Sequence, residues 1–558
     1  NDWDDWRQAE HKILNTYASQ DMFGQPMKPP PNANILPCIW TYQAKQDGTK
    51  KARCCVNSNP KRKGTVTLDH TYAAALDQAG ARVFWALAAL YGYVVYGADA
   101  TNAFAEAPPP KAPLYVIVDK QYQDWWMNVT KQAPIPKGYV LPVKHALQGH
   151  PESPRLWAKK IHDIFTNIGF KNTTHEPCIY TGIFKGNRLF LLRQVDDFAL
   201  AAPLQQTANE IFEQIQHFLT QPLHILNQLT MYNGLNVQQT KHFIKISCTT
   251  YLEKILQGKE WSNEGKNTVI KTPMHHDKKI LTSLEHAEGP TDTNEQIQLQ
   301  QSMKFSYRQA IGELIFAAIT CRPDILYAVI KLSQYSNNPH QDHYIAVKRI
   351  YKYLRSTIHE GLHFWRNNEH PLLPHTTLTP TINETHQVQL PQHDTFDAHG
   401  FVDADWSGDT KHRRSMTGFS IFLAGAPVIY KAKFQPTISL SSTESEFMSA
   451  TEAAKAAKYL RTILNELGHF QNSATTLYED NNAAIAMANA QRPTRRTRHM
   501  DIRHFALLQW VELDEIVLSY ISTSDNPADG FTKPLGPTLF SRHATTLLGK
   551  RKPHYCAF

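Results

Sequence analysis

Three observations predict an α+β chain of several domains. From Thr71 to about Gln238, alanine-rich helical patterns alternate with short β-branched strand patterns. Residues 248–257 and 303–357 then read mainly as helices, and after a polar break at about 367–396 a second series of strand and helix patterns begins. With 558 residues, 42% of them hydrophobic, the chain can bury several cores, so three or four domains or subdomains are expected.

Residues 1 to about 68 are rich in tryptophan, proline and basic side chains, and Trp40–Lys45 and Lys51–Val56 flank the turn signal Asp47-Gly48, so a basic β-hairpin is expected. Val83–Ala98 starts as an alanine-rich helix and ends as a β-branched strand; it is shorter than a spanning helix needs, and no membrane partner is expected. Tyr307, Ile311, Leu314, Ile315 and Ala318 recur at helical spacing until Pro323 closes the run, whereas 274–302 is polar and is expected to be a loop. The 367–396 stretch, dominated by Pro, Thr, Asn and His without periodicity, reads as a tether. Beyond it Phe401-Val402-Asp403 ends a strand, 417–433 reads as a hairpin and 442–467 as a long amphipathic helix. Another strand ends at Asp480, Ile516–Ile521 is a strand, and Asp529 precedes a last helix.

Lys and Arg outnumber Asp and Glu 58 to 50, a formal charge of +8 that favours a polyanionic partner. The seven cysteines show no Cys-x-x-Cys spacing, which argues for a reducing compartment and against structural zinc. The opening carries no secretory pattern, and Asn1 in place of methionine suggests a processed product or an engineered excerpt.

Asp196 and Asp197 stand side by side in Leu191–Leu200, a run that otherwise reads as buried strand. Adjacent buried carboxylates repel and are driven toward protonation unless a multivalent cation lies between them. Asp99 ends the apolar Tyr93–Ala98 strand in the same way, and three acids at the ends of two strands suit a pair of Mg²⁺ ions. Read alone, Asp196-Asp197 also fits a solvated turn and Asp99 a helix cap. In the second unit Asp403, Glu446, Asp480 and Asp529 fall on strand, helix, strand and helix start. Ser441-x-x-Glu444 and Thr443-x-x-Glu446 are both capping-box patterns, so each glutamate has a structural reading as well.

Taken in order, Asp99, Gln148-Gly149 and Val195-Asp196-Asp197 resemble the signature of a reverse transcriptase, and the details resemble the Pol polyprotein of copia-type LTR retrotransposons. The likeness continues through Lys51-Ala52-Arg53, Ser153-Pro154-Arg155-Leu156-Trp157, Arg322-Pro323-Asp324-Ile325, Phe401-Val402-Asp403-Ala404-Asp405-Trp406 and Ser442-Thr443-Glu444-Ser445-Glu446. Glu479-Asp480-Asn481, Arg498–Arg503 and Ala528–Leu535 extend it over nearly the whole chain. The resemblance implies a right-hand polymerase, with fingers and palm over 1–240 and a thumb or connection-like helical region over 241–362. A tether over 363–397 and a ribonuclease H-like α/β domain with a carboxy-terminal tail over 398–558 would follow.

The activity so implied is RNA-directed DNA polymerisation with ribonuclease H cleavage, each by two Mg²⁺ ions, with Mn²⁺ as a substitute. Asp99 and Asp196 would be the primary polymerase ligands with Asp197 beside them; Asp403, Glu446, Asp480 and Asp529 would serve the nuclease, with Asp405 the runner-up to Asp403. Lys45 and Arg53 would hold the triphosphate, Phe104 would lie under the deoxyribose, Gln148 and Gly149 would approach nucleotide and template base, and Gly234 would belong to the primer grip. Implied partners are RNA template, DNA or tRNA primer, RNA–DNA hybrid and dNTPs, with a homodimer as an option, in a cytoplasmic virus-like particle or the nucleus. Gln194 stands where the family usually has tyrosine, and Arg193, Asn102 and Glu106 also depart from it. His499, Asp501 and His504 read equally as catalysis or surface capping. Two other readings stay open: a domesticated, catalytically silent nucleic-acid-binding protein, and a nuclease whose polymerase half only holds the hybrid.

Overall fold

The computed structural model describes residues 2–44, 48–58, 71–259, 261, 269–376, 396–408, 411, 413–490 and 505–552. Asp77 opens the helix Gln78–Leu90 by accepting from the Ala79 N–H, and left-handed Gly92 turns the chain into the strand Val94–Ala100. The helix is buried from Gly80 to Leu90, which suits a sequence apolar on all sides. Its strand is second in a six-stranded sheet whose order is Leu223–Gln228, Val94–Ala100, Asp197–Ala202, Asn187–Gln194, Ile179–Phe184 and Lys171–Asn172. Every neighbouring pair in this palm sheet is antiparallel.

The basic hairpin forms as Cys38–Ala44 paired with Lys50–Val56. Behind it lies the helix Asp2–Ser19, which the sequence pattern did not suggest; Leu14 and Tyr17 are buried and the Tyr17 hydroxyl donates to the Cys54 carbonyl at 3.0 Å.

Residues 274–302 are not a loop. The helices Lys278–His286 and Thr293–Met303 occupy most of the stretch, opened by Asp277 and Asp292, each of which accepts two backbone N–H groups. Their apolar stripe is narrow, with Leu284 and Met303 the buried hydrophobic residues, so periodicity hid them while the two N-cap aspartates announced them. The expected tether also starts too early at 363. The strand Gly361–Trp365 is wholly buried and pairs with Phe243–Ser247, and buried Arg366 donates to the carbonyls of Thr240 at 2.9 Å and Tyr93 at 2.7 Å. Residues 377–395 lie outside the described residues.

The second unit is built on a five-stranded sheet ordered Ala426–Phe434, Met416–Leu423, His399–Asp405, Thr475–Glu479 and Ile516–Tyr520. The first three strands are antiparallel and the last two add in parallel, with the helix Ser442–Glu466 packed across His399–Asp405 and Met416–Leu423. The fold is thus α+β and multidomain, an antiparallel six-stranded unit followed by a unit built on a mixed five-stranded sheet, in the order the sequence predicts. Arg82 joins the units: from the palm helix it donates to Val428 O at 2.7 Å and Ile319 O at 2.6 Å, with its guanidinium 4.5 Å from the Tyr430 ring centroid. Among the described residues, no helix is long and apolar enough to cross a membrane.

Candidate active sites

The first site is built on the hairpin between Asn187–Gln194 and Asp197–Ala202, whose two-residue turn is Val195-Asp196. Val195 has φ of 55°, costly for a β-branched residue, and its carbonyl accepts the Trp157 indole N–H at 2.7 Å, which pins the turn. The Asp196 carbonyl accepts the Ala100 N–H at 2.9 Å, and Asp197 lies in register opposite Asp99. Burial, then the charges of Asp196 and Asp99, push Asp197 up to about 6.

A cleft of about 300 Å³ opens beside this turn, lined by Arg53, Phe104, Gln148, Val195 and Asp196. Lys12 and Thr16 of the amino-terminal helix form another wall, which nothing in the pattern of residues 1–68 had indicated. Gly149 is exposed and does not line the cleft. It has φ of +90°, and a Cβ there would sit 2.4 Å from the Val56 carbonyl, while the Val56 N–H donates to Gln148 O at 2.8 Å. Glycine is required for that approach, which fixes the strand carrying Arg53. Lys45 falls outside the described residues.

Phe104 sits in the short 3₁₀ turn Ala103–Glu106, and the residues that depart from the family hold that turn. Left-handed Asn102 donates to Gln20 at 2.6 Å, and buried Glu106 accepts from the backbone of Thr220 at 3.0 Å and Gln221 at 2.8 Å. Asn233 and Gly234 both have positive φ, forming the two-residue turn of a tight hairpin, and the adjoining Tyr232 hydroxyl donates to Asp197 O at 3.3 Å. Gln194 accepts from the Leu76 N–H at 3.2 Å, and Arg193 is buried 3.7 Å from the Cys178 sulfur. Arg193 is therefore an interior residue.

The second site gathers more charge. Ligand atoms of Asp403, Asp480 and Asp529 lie within 4.8 Å of one another, as do those of Glu446, Glu479 and Asp480. Among the described residues, Asp99, Asp196 and Asp197 form no grouping that tight, and Asp405 belongs to neither of these two. Glu444 caps its helix from the surface: its N–H donates to Ser441 Oγ and its carboxylate accepts from the Leu440 N–H. Glu446, half a turn on, is 6% exposed and faces inward. Burial, followed by the charge of Glu479, raises Glu446; burial, followed by Asp403 and Asp480, raises Glu479. Asp529 is pushed up to about 8 by burial and then Asp403. The Thr532 hydroxyl donates to Asp403, and the Lys533 ammonium lies 2.9 Å from Asp529 and 3.7 Å from Asp403.

These donors are all carboxylate oxygens, the hard ligands Mg²⁺ and Mn²⁺ prefer, and buried Oε2 atoms of Glu446 and Glu479 have no hydrogen-bond partner among the described residues. The residues therefore fit divalent cations. Glu479, Trp157 and Lys533 were missed as site residues; the signal for Glu479 was its place beside Asp480 at a strand end, the pattern of Asp196-Asp197. His499, Asp501 and His504 lie outside the described residues.

Residues 25–276 match the family described as reverse transcriptase (RNA-dependent DNA polymerase). Over 519 residues the chain is 26% identical to the retrovirus-related Pol polyprotein from transposon TNT 1-94 of Nicotiana tabacum, covering 90% of this chain and 35% of that protein. It is 24% identical over 569 residues to the Pol polyprotein from transposon RE2 of Arabidopsis thaliana, covering 99% of this chain and 34% of that one. The chain thus spans about a third of the length of these relatives. A solved foamy viral protease-reverse transcriptase in complex with double-stranded DNA aligns with a TM-score of 0.48 at 13% identity, over 93% of this chain and 70% of that one.

Proposed function

Because the chain belongs to the reverse transcriptases of the copia-type retrotransposon Pol family, we propose that it copies RNA into DNA and cleaves the RNA of the resulting hybrid at a separate site. The observation that carries the polymerase reading is the convergence of Arg53, Phe104, Gln148 and Asp196 on one cleft from four separate segments. Arg53 binds triphosphate charge, Phe104 meets the sugar, Gln148 meets the incoming nucleotide, and Asp99, Asp196 and Asp197 hold cations at the primer terminus. The nuclease reading is supported by Asp403, Glu446, Asp480 and Asp529 meeting at one edge of the mixed sheet, where they bind cations at the scissile phosphate. Divalent cations bound at either centre supply nucleophile activation and neutralise charge on the leaving oxygen.

RNA template, primer, hybrid and dNTPs are the proposed partners. The basic balance of 58 to 50 predicts binding to phosphates that weakens as salt rises. Primer extension on an RNA template and cleavage of a labelled RNA–DNA hybrid, run separately on the purified chain with Mg²⁺, test the proposal. Both activities are expected. Hybrid binding without either would identify a silent binding protein, and cleavage without extension a nuclease alone.

A further inference from the structure

We propose that Glu479 is a metal ligand of the nuclease centre, so that Glu446, Glu479 and Asp480 together would hold one of its divalent cations. The inference rests on the nuclease reading and adds a fifth carboxylate to it.

Glu479 is the last residue of the strand Thr475–Glu479 and is 0% exposed. Its Oε1 accepts the N–H groups of Asp480 at 3.1 Å and Asn481 at 3.2 Å. Those two bonds orient the carboxylate and leave Oε2 buried with no hydrogen-bond partner among the described residues, the same state as Oε2 of Glu446, whose ligand atom lies within 4.8 Å of that of Glu479. A buried oxygen left this way is costly, and two anions side by side are more so. The Lys533 ammonium makes its ion pairs with Asp529 and Asp403 in the other group, and at Glu446 its charge is the smallest influence, behind burial and the charges of Glu479, Asp403 and Asp480. Two occupants could reconcile Glu446 with Glu479: one shared proton, or a cation. Three oxygen ligands within 4.8 Å of one another favour the cation.

The two occupants give opposite results when Glu479 becomes glutamine. Glutamine mimics a protonated glutamate but is a poor cation ligand. The test uses the full chain carrying Asp99→Asn and Asp196→Asn, so that the polymerase acids do not contribute to the count. Mn²⁺ binding is followed by the electron paramagnetic resonance of the free ion and by the Mn²⁺-induced rise in Tm. The parent is expected to bind two ions; Glu479→Gln should bind one of them at least about tenfold more weakly and show a smaller rise in Tm. Glu479→Asp keeps the charge but withdraws the oxygen by one methylene, and should weaken the same ion while preserving the fold. Two-ion binding of unchanged affinity in either folded variant overturns the inference alone. A parent that binds no Mn²⁺ overturns the nuclease reading together with it.

Discussion

Asp99 and Asp197 stand directly opposite each other across the antiparallel pair formed by Val94–Ala100 and Asp197–Ala202. A slip of one residue in that pairing would send one carboxylate to the other face of the sheet, so the register is itself part of the site. It is held from both sides. Trp157 fixes the turn before Asp197, and on the far edge of Val94–Ala100 the strand Leu223–Gln228 pairs His224 with Asp99. The acids proposed for hybrid cleavage gather around a different sheet, Asp403 on its strand His399–Asp405 and Glu446 on the helix Ser442–Glu466 packed across it, beyond the residues 377–395 that separate the two units in sequence.

Separate sheets predict separable activities. Asp196→Asn is expected to abolish dNTP incorporation while hybrid cleavage continues at a rate within about threefold of the parent, and Asp480→Asn is expected to do the reverse. Both rates are measured on protein whose Tm matches the parent. Loss of both activities from either folded variant would show that the centres are not independent.

Glu444 and Glu446 are predicted to fail differently. Glu444 caps its helix from a half-buried position at the surface, so Glu444→Gln should lower stability by about 1 kcal/mol or less and leave cleavage intact. Glu446 is buried against Glu479 and Asp480, so Glu446→Gln should remove cleavage without a comparable loss of Tm, since it also removes a buried charge. Parent-like cleavage by Glu446→Gln would take it out of the site.

Strand-end acids, the fingers hairpin and the alternation of the second unit were legible because each follows from short-range pattern. Asp196-Asp197 is an anomaly inside an apolar run, and Asp47-Gly48 is a turn signal at hairpin spacing. What escaped depends on contacts distant in sequence. The helices Lys278–His286 and Thr293–Met303 bury too little to show a period, and the buried strand Gly361–Trp365 is defined by its pairing with Phe243–Ser247. Glu479 stands beside Asp480 at a strand end, but that place alone did not mark it as a site residue; the contact that does comes from Glu446 on another element. Arg193, two residues before the Val195-Asp196 turn, faces the interior, which strand alternation alone could not assign without knowing which face is covered.

Acid should loosen the junction between the units through His363. This residue is 1% exposed on the strand Gly361–Trp365, and its Nδ1–H donates to Leu548 O at 3.0 Å. Burial, aided by Lys245 and Lys550, lowers it to about 4. Because the folded value lies below the unfolded one of about 6.5, the contribution is present in full above pH 6.5 and is lost as pH falls toward 4, about 2 kcal/mol of it by pH 5. Urea midpoints of parent and His363→Gln at pH 7.5 and 5 check this. The parent should lose more than the variant on acidification, and equal losses would clear His363.

Phe104 is predicted to exclude ribonucleotides. Its ring shares the cleft with Asp196, Arg53 and Gln148, and the turn that carries it is tied down through Asn102 to Gln20 and through Glu106 to Thr220 and Gln221. A side chain on so constrained a turn cannot retreat from a 2′-hydroxyl without breaking those bonds, so rejection by overlap is effective. Phe104→Val opens space where the ring was. It should raise rNTP use relative to dNTP by at least about tenfold, with a smaller loss of dNTP efficiency, since one well-placed group commonly carries discrimination of that order. If Phe104 instead only packs against the core, the substitution costs stability and lowers both substrates alike. The ratio of kcat/KM for a matched dNTP and rNTP, measured in parent and variant, separates the two, and an unchanged ratio removes Phe104 from the site.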